Sequence, residues 1–342
     1  MKKCTEKRRR YNAIVKEKRT RRFLRRKPLH RGFQLTIRDY FQVQAPEIFS
    51  LVGDYRLKLL AFIDKLKELA LDKKKHIMID FSKTKKMVTS GTILFTAELR
   101  NLHRLTGDQL KFRCHRPKNN KVAQVLKQIG LLRLLKQDMY IVPKDDDVVN
   151  WRVAYGKRVV GEKYKNIVDY HDGELTPILD TSLYKGLTEA MTNCHQHAYI
   201  AERDVGPVKN DEEAWWMFSQ EKDDNLVVVF CDLGVGIPGS LPITNSTWYD
   251  QILKVMGYIN DGELIRQAIE LSRTRTHKRY RGKGLRQLVD VVMHSPGARL
   301  MIFSNTGLYE VVDGKESCHN FYGNINGTII EWVLPLAPRG PI

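Results

Sequence analysis

The sequence predicts a two-domain α/β chain, and three observations carry that prediction. At 342 residues it is longer than one average domain. Short apolar runs alternate with segments whose apolar residues recur every three or four positions, the pattern of strands laid against helices. A charged stretch, Lys144-Asp145-Asp146-Asp147, then breaks the pattern near the middle. A hydrophobic content of 42% is ample for ordinary cores.

The elements come in this order. Residues 1–31 form a basic tail, and the first domain is expected over 32–143. Leu57, Leu60, Ala61, Ile63, Leu66 and Leu69 recur at helical spacing, so 57–69 reads as an amphipathic helix. Residues 76–81 read as a short buried strand. Residues 92–105 are helical again, and Gly107 suits the position that ends a helix. A strand over 110–114 and a helical pattern over 122–135, interrupted by Gly130, complete this domain. Residues 144–172 are polar and glycine-punctuated, a linker or the lead-in strand of the second domain. That second domain is expected over 173–337, with 338–342 a short tail. Pro177 precedes a helix over 183–198, and Leu226-Val-Val-Val-Phe230 is a buried strand. Residues 285–293 are helical, while 299–304 and 328–334 are strands. No internal repeat is evident.

Net charge is +19, but the tail holds most of it. Residues 2–31 carry 15 Lys or Arg against Glu6 and Glu17, a net of +13. Such a segment suits nucleic acid or an anionic surface, or is a plain solvated arm. No apolar run approaches the roughly 20 residues that span a bilayer. The charged start lacks a secretory signal, so a cytoplasmic protein is expected. Cys4, Cys114, Cys194, Cys231 and Cys318 are scattered and form no CxxC pair, which argues against a disulfide framework or zinc knuckle. His195 and His197, two apart, point to different faces of a helix, which is poor metal geometry.

Four segments of the second domain hold residue types that chemistry uses. Glu189 and Asn193 are four apart on a helix and share a face. Asp232 ends an apolar strand and opens Asp232-Leu-Gly234-Val-Gly236-Ile-Pro238, whose glycines permit a sharp turn and close approach. Gly282-Lys283-Gly284 opens a helix, where free amides bind anions. Arg273, Arg275, Lys278, Arg279 and Arg281 come just before it. Gly327-Thr328 starts the last strand. Singly, each has a plain reading: a solvated helix face, a chance turn, a charged loop, a β-branched strand residue. The Walker phosphate loop and the protein-kinase motif series are both absent.

In this order the four segments resemble the nucleotide site of the GHKL superfamily, which holds gyrase B, Hsp90, MutL, histidine kinases and anti-sigma serine kinases. The resemblance implies a sandwich with helices on one face of a mixed sheet. It also implies bound ATP and Mg²⁺, with Asn193 as the metal ligand and Glu189 as the catalytic base. Asp232 takes the adenine amino group, and Gly234 and Gly236 make room for the base. Gly282, Lys283 and Gly284 meet the phosphates, Thr328 supports Asp232, and a lid lies between Pro238 and Gly282. His197 either reaches a phosphate or closes its helix.

The first domain carries Ile77-Met-Ile-Asp80, then Val88-Thr89-Ser90-Gly91 opening a helix, then an apolar helix ending in Ile129-Gly-Leu-Leu-Arg-Leu-Leu135. These resemble the STAS fold of anti-sigma factor antagonists. The resemblance puts Ser90 at the phosphoacceptor, with Val88 and Thr89 where the family has Asp and Ser. A Ser-Gly pair is equally a helix cap.

The two resemblances together imply an ATP-binding regulator of partner-switching type, a serine/threonine kinase or slow ATPase with a STAS-type or sigma/anti-sigma-type protein partner. The alternative is a non-hydrolysing ATP-gated interaction switch, nucleic-acid-associated through its tail. A homodimer is compatible with both. A DNA-dependent ATPase fits the charge, but only Pro335 to Ile342 come after the last strand, with no room for a transducer domain.

Overall fold

The computed structural model describes residues 39–137, 140–149, 151–159, 175–203, 206–209, 214–274, 284–293 and 295–336. The basic tail, most of the lid's basic cluster, Gly282 and Lys283 lie outside these residues. Two units divide the chain, Met1–Tyr40 and Phe41–Ile342, and the second holds nearly all of the described residues.

Through the first half, strand and helix alternate as their spacing predicts. Strand β1 (Tyr40–Gln44) leads to β2 (Ile48–Phe49) and helix α1 (Asp54–Lys67), which runs on as a π-helical turn over Glu68–Asp72. Next come β3 (His76–Asp80), β4 (Lys86–Met87) and α2 (Thr89–Thr106). Gly107 ends α2 at φ 55°, its amide donating to the His103 carbonyl. Strand β5 (Phe112–His115) then pairs in parallel with β3 in a sheet ordered β1-β3-β5. Helix α3 (Asn120–Gln128) is capped by the Asn119 side chain, which accepts from Val122 N. Gly130, at φ 76°, turns the chain into α4 (Leu131–Leu134), so the expected helix of 122–135 is two pieces.

Residues 144–149 and 151–159 belong to the described structure. Asp146–Val149 forms one helical turn, α5, with Val148 fully buried. Arg152–Gly156 is β6, the edge strand of a seven-stranded sheet, so the lead-in strand is the reading that fits. Helix α6 (Pro177–Asn193), with Pro at its first turn and Thr176 as cap, widens into a π-helical turn over Cys194–Ala198. Strands β7 (Trp215–Lys222) and β8 (Asn225–Asp232) form a hairpin. Helices α7 (Gly236–Thr244), α8 (Ser246–Met256) and α9 (Asp261–Thr274) fill the region expected to be a lid. Helix α10 (Gly284–Met293) and strands β9 (Arg299–Ser304), β10 (Gly307–Val312), β11 (Lys315–Asn320) and β12 (Thr328–Pro335) complete the chain.

The large sheet runs β11-β10-β9-β12-β8-β7-β6. Every pairing within it is antiparallel, which corrects the expected mixed sheet. Hairpin connections account for this: β7–β8 and β9–β10–β11 are meanders, and antiparallel neighbours need only tight turns.

Both faces of this sheet are covered. Leu226, Val228 and Phe230 point to one side, into a core with α6, α9 and α10. Trp216, Phe218, Val229, Cys231, Phe303 and Ile329 point to the other side. There they share one core with Phe49, Phe62, Phe81 and Phe95 of the first half. Helix α2 lies across β7, β8 and β12. A strand buried on both faces reads as a continuous apolar run, which explains 226–230. Helices therefore flank the sheet on two faces, where the resemblance implied one.

Candidate functional site

The four motifs, up to 139 residues apart in sequence between Glu189 and Thr328, converge at one end of the large sheet. Asp232 ends β8 and sits directly across from Thr328 on β12, which is in turn opposite Ser304 on β9. A cleft of about 40 Å³ beside them is lined by Asn193, His197, Asp232, Gly236, Ser240 and Thr328, among others. It adjoins a wider one of about 170 Å³ between α6, α7, α9 and α10, lined by Asn193, His197, Thr244, Ser272 and Gly284. Asn193 and His197 border both.

The glycines of the Asp232 turn sit where any side chain clashes with backbone or a fixed amide. A Cβ on Gly234 would lie 2.3 Å from the Ala198 carbonyl oxygen. Gly236 has φ 77°, and its Cβ would meet Asn305 Oδ1 at 2.5 Å. This close approach lets Val235 N donate to Ala198 O at 2.8 Å, joining the turn to the end of the Asn193 helix. Asn305 Nδ2 donates to Val235 O at 3.0 Å and holds the turn from the other side. Tyr199 OH accepts from Leu233 N at 3.1 Å and donates to the Ala214 carbonyl.

Asp232 is 5% exposed. Burial pushes its carboxyl up to about 7, against the pull of the Gly234 and Thr328 amides and of Arg203. Gly234 N reaches Asp232 Oδ1 at 2.9 Å. Thr328 thus helps Asp232 through its backbone. Its hydroxyl instead sits 3.1 Å from Ser304 Oγ, which also accepts from Ile237 N at 2.8 Å.

Glu189 is half-buried, and burial raises its carboxyl above the usual range. The Asn193 amide beside it offsets part of that rise without completing a hydrogen bond. Gly284 abuts this carboxylate, since a Cβ there would lie 3.2 Å from Glu189 Oε1. Asn193 Nδ2 and His197 Nδ1 are both buried with no hydrogen-bond partner among the described residues. Burial also lowers the His197 pKa, which favours the neutral ring. Unpaired buried polar atoms cost roughly 1–3 kcal/mol each, so two of them on residues that line one cleft mark a place where a polar ligand is at home.

Ser90 is elsewhere. It is 4% exposed, at the second position of α2, on the far face of the sheet from the cleft. The Glu331 carboxylate of β12 is its neighbour: burial raises that carboxyl to about 7, against the pull of Ser90 and Arg299. Ser90 is buried at this helix start, so its hydroxyl is not presented to a phosphate donor in this arrangement. Gly91 comes next because a Cβ there would lie 2.6 Å from the Phe49 carbonyl carbon.

Ser304, Tyr199 and Asn305 are the site residues that the motifs do not reveal. Ser304 stands at the end of an apolar strand as Asp232 does, and that shared placement is the one signal for it. Neither a protein-family model nor a curated protein sequence matches this chain.

Proposed function

We propose that the cleft between α6, α7 and α10 binds an adenine nucleotide with Mg²⁺, and that the protein is an ATP-binding regulator. One observation carries the reading. Asn193, Asp232, Gly236 and Thr328, from three separate motifs, line a single cleft, and Gly284 of the fourth lines its extension. Asp232 offers a buried acceptor to an exocyclic amino group. Guanine has a carbonyl there and would leave the carboxylate unpaired, at a cost of about 1–3 kcal/mol.

The residues fit the metal as well. The Asn193 amide supplies an oxygen ligand of the hard type that Mg²⁺ prefers, and its unpaired nitrogen gains a neighbour when phosphate enters. Bound Mg²⁺ supplies charge neutralisation of the phosphate oxygens. Glu189, whose carboxylate abuts Gly284 of the wider cleft and whose proton affinity is raised by burial, is the residue proposed to accept a proton from a hydroxyl or water. The α7 helix starts at Gly236, which lines the cleft.

Kinase or slow ATPase action of partner-switching type, on a protein partner, uses Glu189 in this way. Ser90 is an unsuitable acceptor while it is sealed against Glu331. A second reading, an ATP-gated switch without rapid turnover, draws on the buried contact between the first half and the sheet that carries Asp232. The basic tail is proposed to bring nucleic acid or an anionic surface to either form.

Calorimetry of ATP with the full chain, with and without Mg²⁺, tests the binding claim. Magnesium-dependent affinity that is lost in Asp232→Asn and Asn193→Ala supports it; no affinity in the wild type ends it. Radiolabelled ATP then divides the readings. Label transferred to a protein hydroxyl supports the kinase, free phosphate the ATPase, and binding with neither the switch.

A further inference from the structure

A second cavity, of about 430 Å³, lies on the opposite face of the large sheet, beside the start of α2. Glu331 is one of its lining residues and is 7% exposed. Glu331 Oε2 is buried with no hydrogen-bond partner among the described residues. Val122, Val125 and Trp151 give the cavity an apolar wall. Four lysines line it: Lys85, Lys86, Lys121 and Lys222.

Two of those lysines are already answered. Lys85 Nζ is 2.8 Å from Glu47 Oε2, and Lys121 Nζ is 2.5 Å from Asp147 Oδ2. Lys86 has no acid partner among the described residues, and Lys222 has only Asp223 at 3.7 Å. The lining thus combines an unsatisfied buried acceptor with uncommitted positive charge on two more exposed residues. A bare anion is repelled by the inner carboxylate, and a bare cation by the lysines. A molecule with both a donor and an acid satisfies the two ends.

We propose that this cavity binds a small anion that also carries a hydroxyl or amino donor. The donor bonds Glu331 Oε2, and the acidic group, phosphate or carboxylate, meets Lys86 and Lys222. The volume lies within the range of small-molecule sites, roughly 300–1,000 Å³. Ligand entry here touches the α2 start and β12 together, so it bears on the contact between the two halves of the chain. The site is independent of the nucleotide cleft, which lies across the sheet.

Titration calorimetry of the full chain with four probes tests this: glycerol 3-phosphate, glycerate, glycerol and inorganic phosphate. Glycerol 3-phosphate or glycerate is expected to bind at least about tenfold more tightly than either glycerol or inorganic phosphate. Which of the two acids wins identifies the anionic group. The double variant Lys86→Ala/Lys222→Ala, altered only at partly or fully exposed positions, is expected to weaken that binding by about tenfold or more. Glu331→Gln should weaken it too while circular dichroism shows a folded chain; if that variant unfolds, the lysine variant carries the test. Asn193→Ala should leave it unchanged. The proposal is overturned if neither acid binds at about 10 mM, if binding survives both the lysine and the Glu331 changes, or if Asn193→Ala abolishes it.

Discussion

Arg203 sets its Nη2 3.0 Å from both carboxylate oxygens of Glu98, deep between the two halves of the chain. Glu98 belongs to α2, and Lys67 at the end of α1 adds a third charge 2.8 Å from Glu98 Oε1. The same guanidinium donates through Nη1 to Asn326 O at 2.8 Å, one residue before the Gly327 that lies against the Asp232 backbone. Arg56 of α1 makes a parallel tie, donating to Asn305 O at 2.8 Å and to Gly323 O. Both arginines therefore join the first half to loops that border the candidate cleft.

Removing Glu98 strands two buried cations. Glu98→Ala is expected to cost about 3–5 kcal/mol in urea unfolding, with Glu98→Gln less harmful because it keeps a hydrogen-bonding oxygen. Burial alone raises this carboxyl, but Arg203 and Lys67 outweigh it and hold the group below the usual range. The stability it contributes is present above about pH 4 and is lost as pH falls through the lowered folded value. A wild-type melting curve should fall more steeply in acid than that of Glu98→Gln.

Asp232 has the opposite sign. Its folded pKa of about 7 exceeds the unfolded value, so its contribution is full in acid and is lost as pH rises towards neutrality. Asp232→Asn should flatten the stability profile over that window. An adenine amino group favours the ionised carboxylate, so wild-type nucleotide affinity should rise with pH through 7 and binding should release a proton. Calorimetry in buffers of different ionisation enthalpy reads that proton directly.

Gly234→Ala forces a methyl group to within 2.3 Å of the Ala198 carbonyl, which no rotamer relieves. Loss of about 1–3 kcal/mol and of nucleotide binding is expected, because the Val235 to Ala198 bond must open. Thermal melts and ATP titration check both. Wild-type affinity in this variant would contradict the assigned geometry.

Ser90→Asp places a second carboxylate against Glu331 in a buried spot. It is expected to destabilise the chain by more than Ser90→Ala, which removes one buried hydrogen bond at about 1–3 kcal/mol. Glu331→Gln in the Ser90→Asp background should restore part of the loss, since it removes the like charge. Chemical denaturation of the wild type, Ser90→Asp, Glu331→Gln and the double variant measures the coupling.

The gathering of the candidate cleft residues was legible because the proposed chemistry demands particular residue types at fixed local spacing. Glu189 and Asn193 needed one helix, and Asp232, Gly234 and Gly236 one turn. Long elements with strong periodicity, such as α2 with its Gly107 stop, were readable for the same local reason. Ser304, Tyr199 and Arg203 were not, because their roles exist only across strand neighbours and between segments. The antiparallel order of the sheet and the strands β7, β10 and β11 depended on pairing that no local pattern specifies. The position of Ser90 shows the same limit: a Ser-Gly turn is visible in sequence, whereas the glutamate of a distant strand that covers it is not.

The doubly covered sheet has a practical consequence for anyone dividing this polypeptide. A fragment beginning near Trp151 would bare Trp216, Phe218, Phe303 and Ile329 to solvent, and its N-terminal counterpart would bare the matching aromatic cluster. Such pieces, expressed apart, should clump or seek each other out. Tethering on one backbone keeps the two complementary surfaces at high local concentration from synthesis onward.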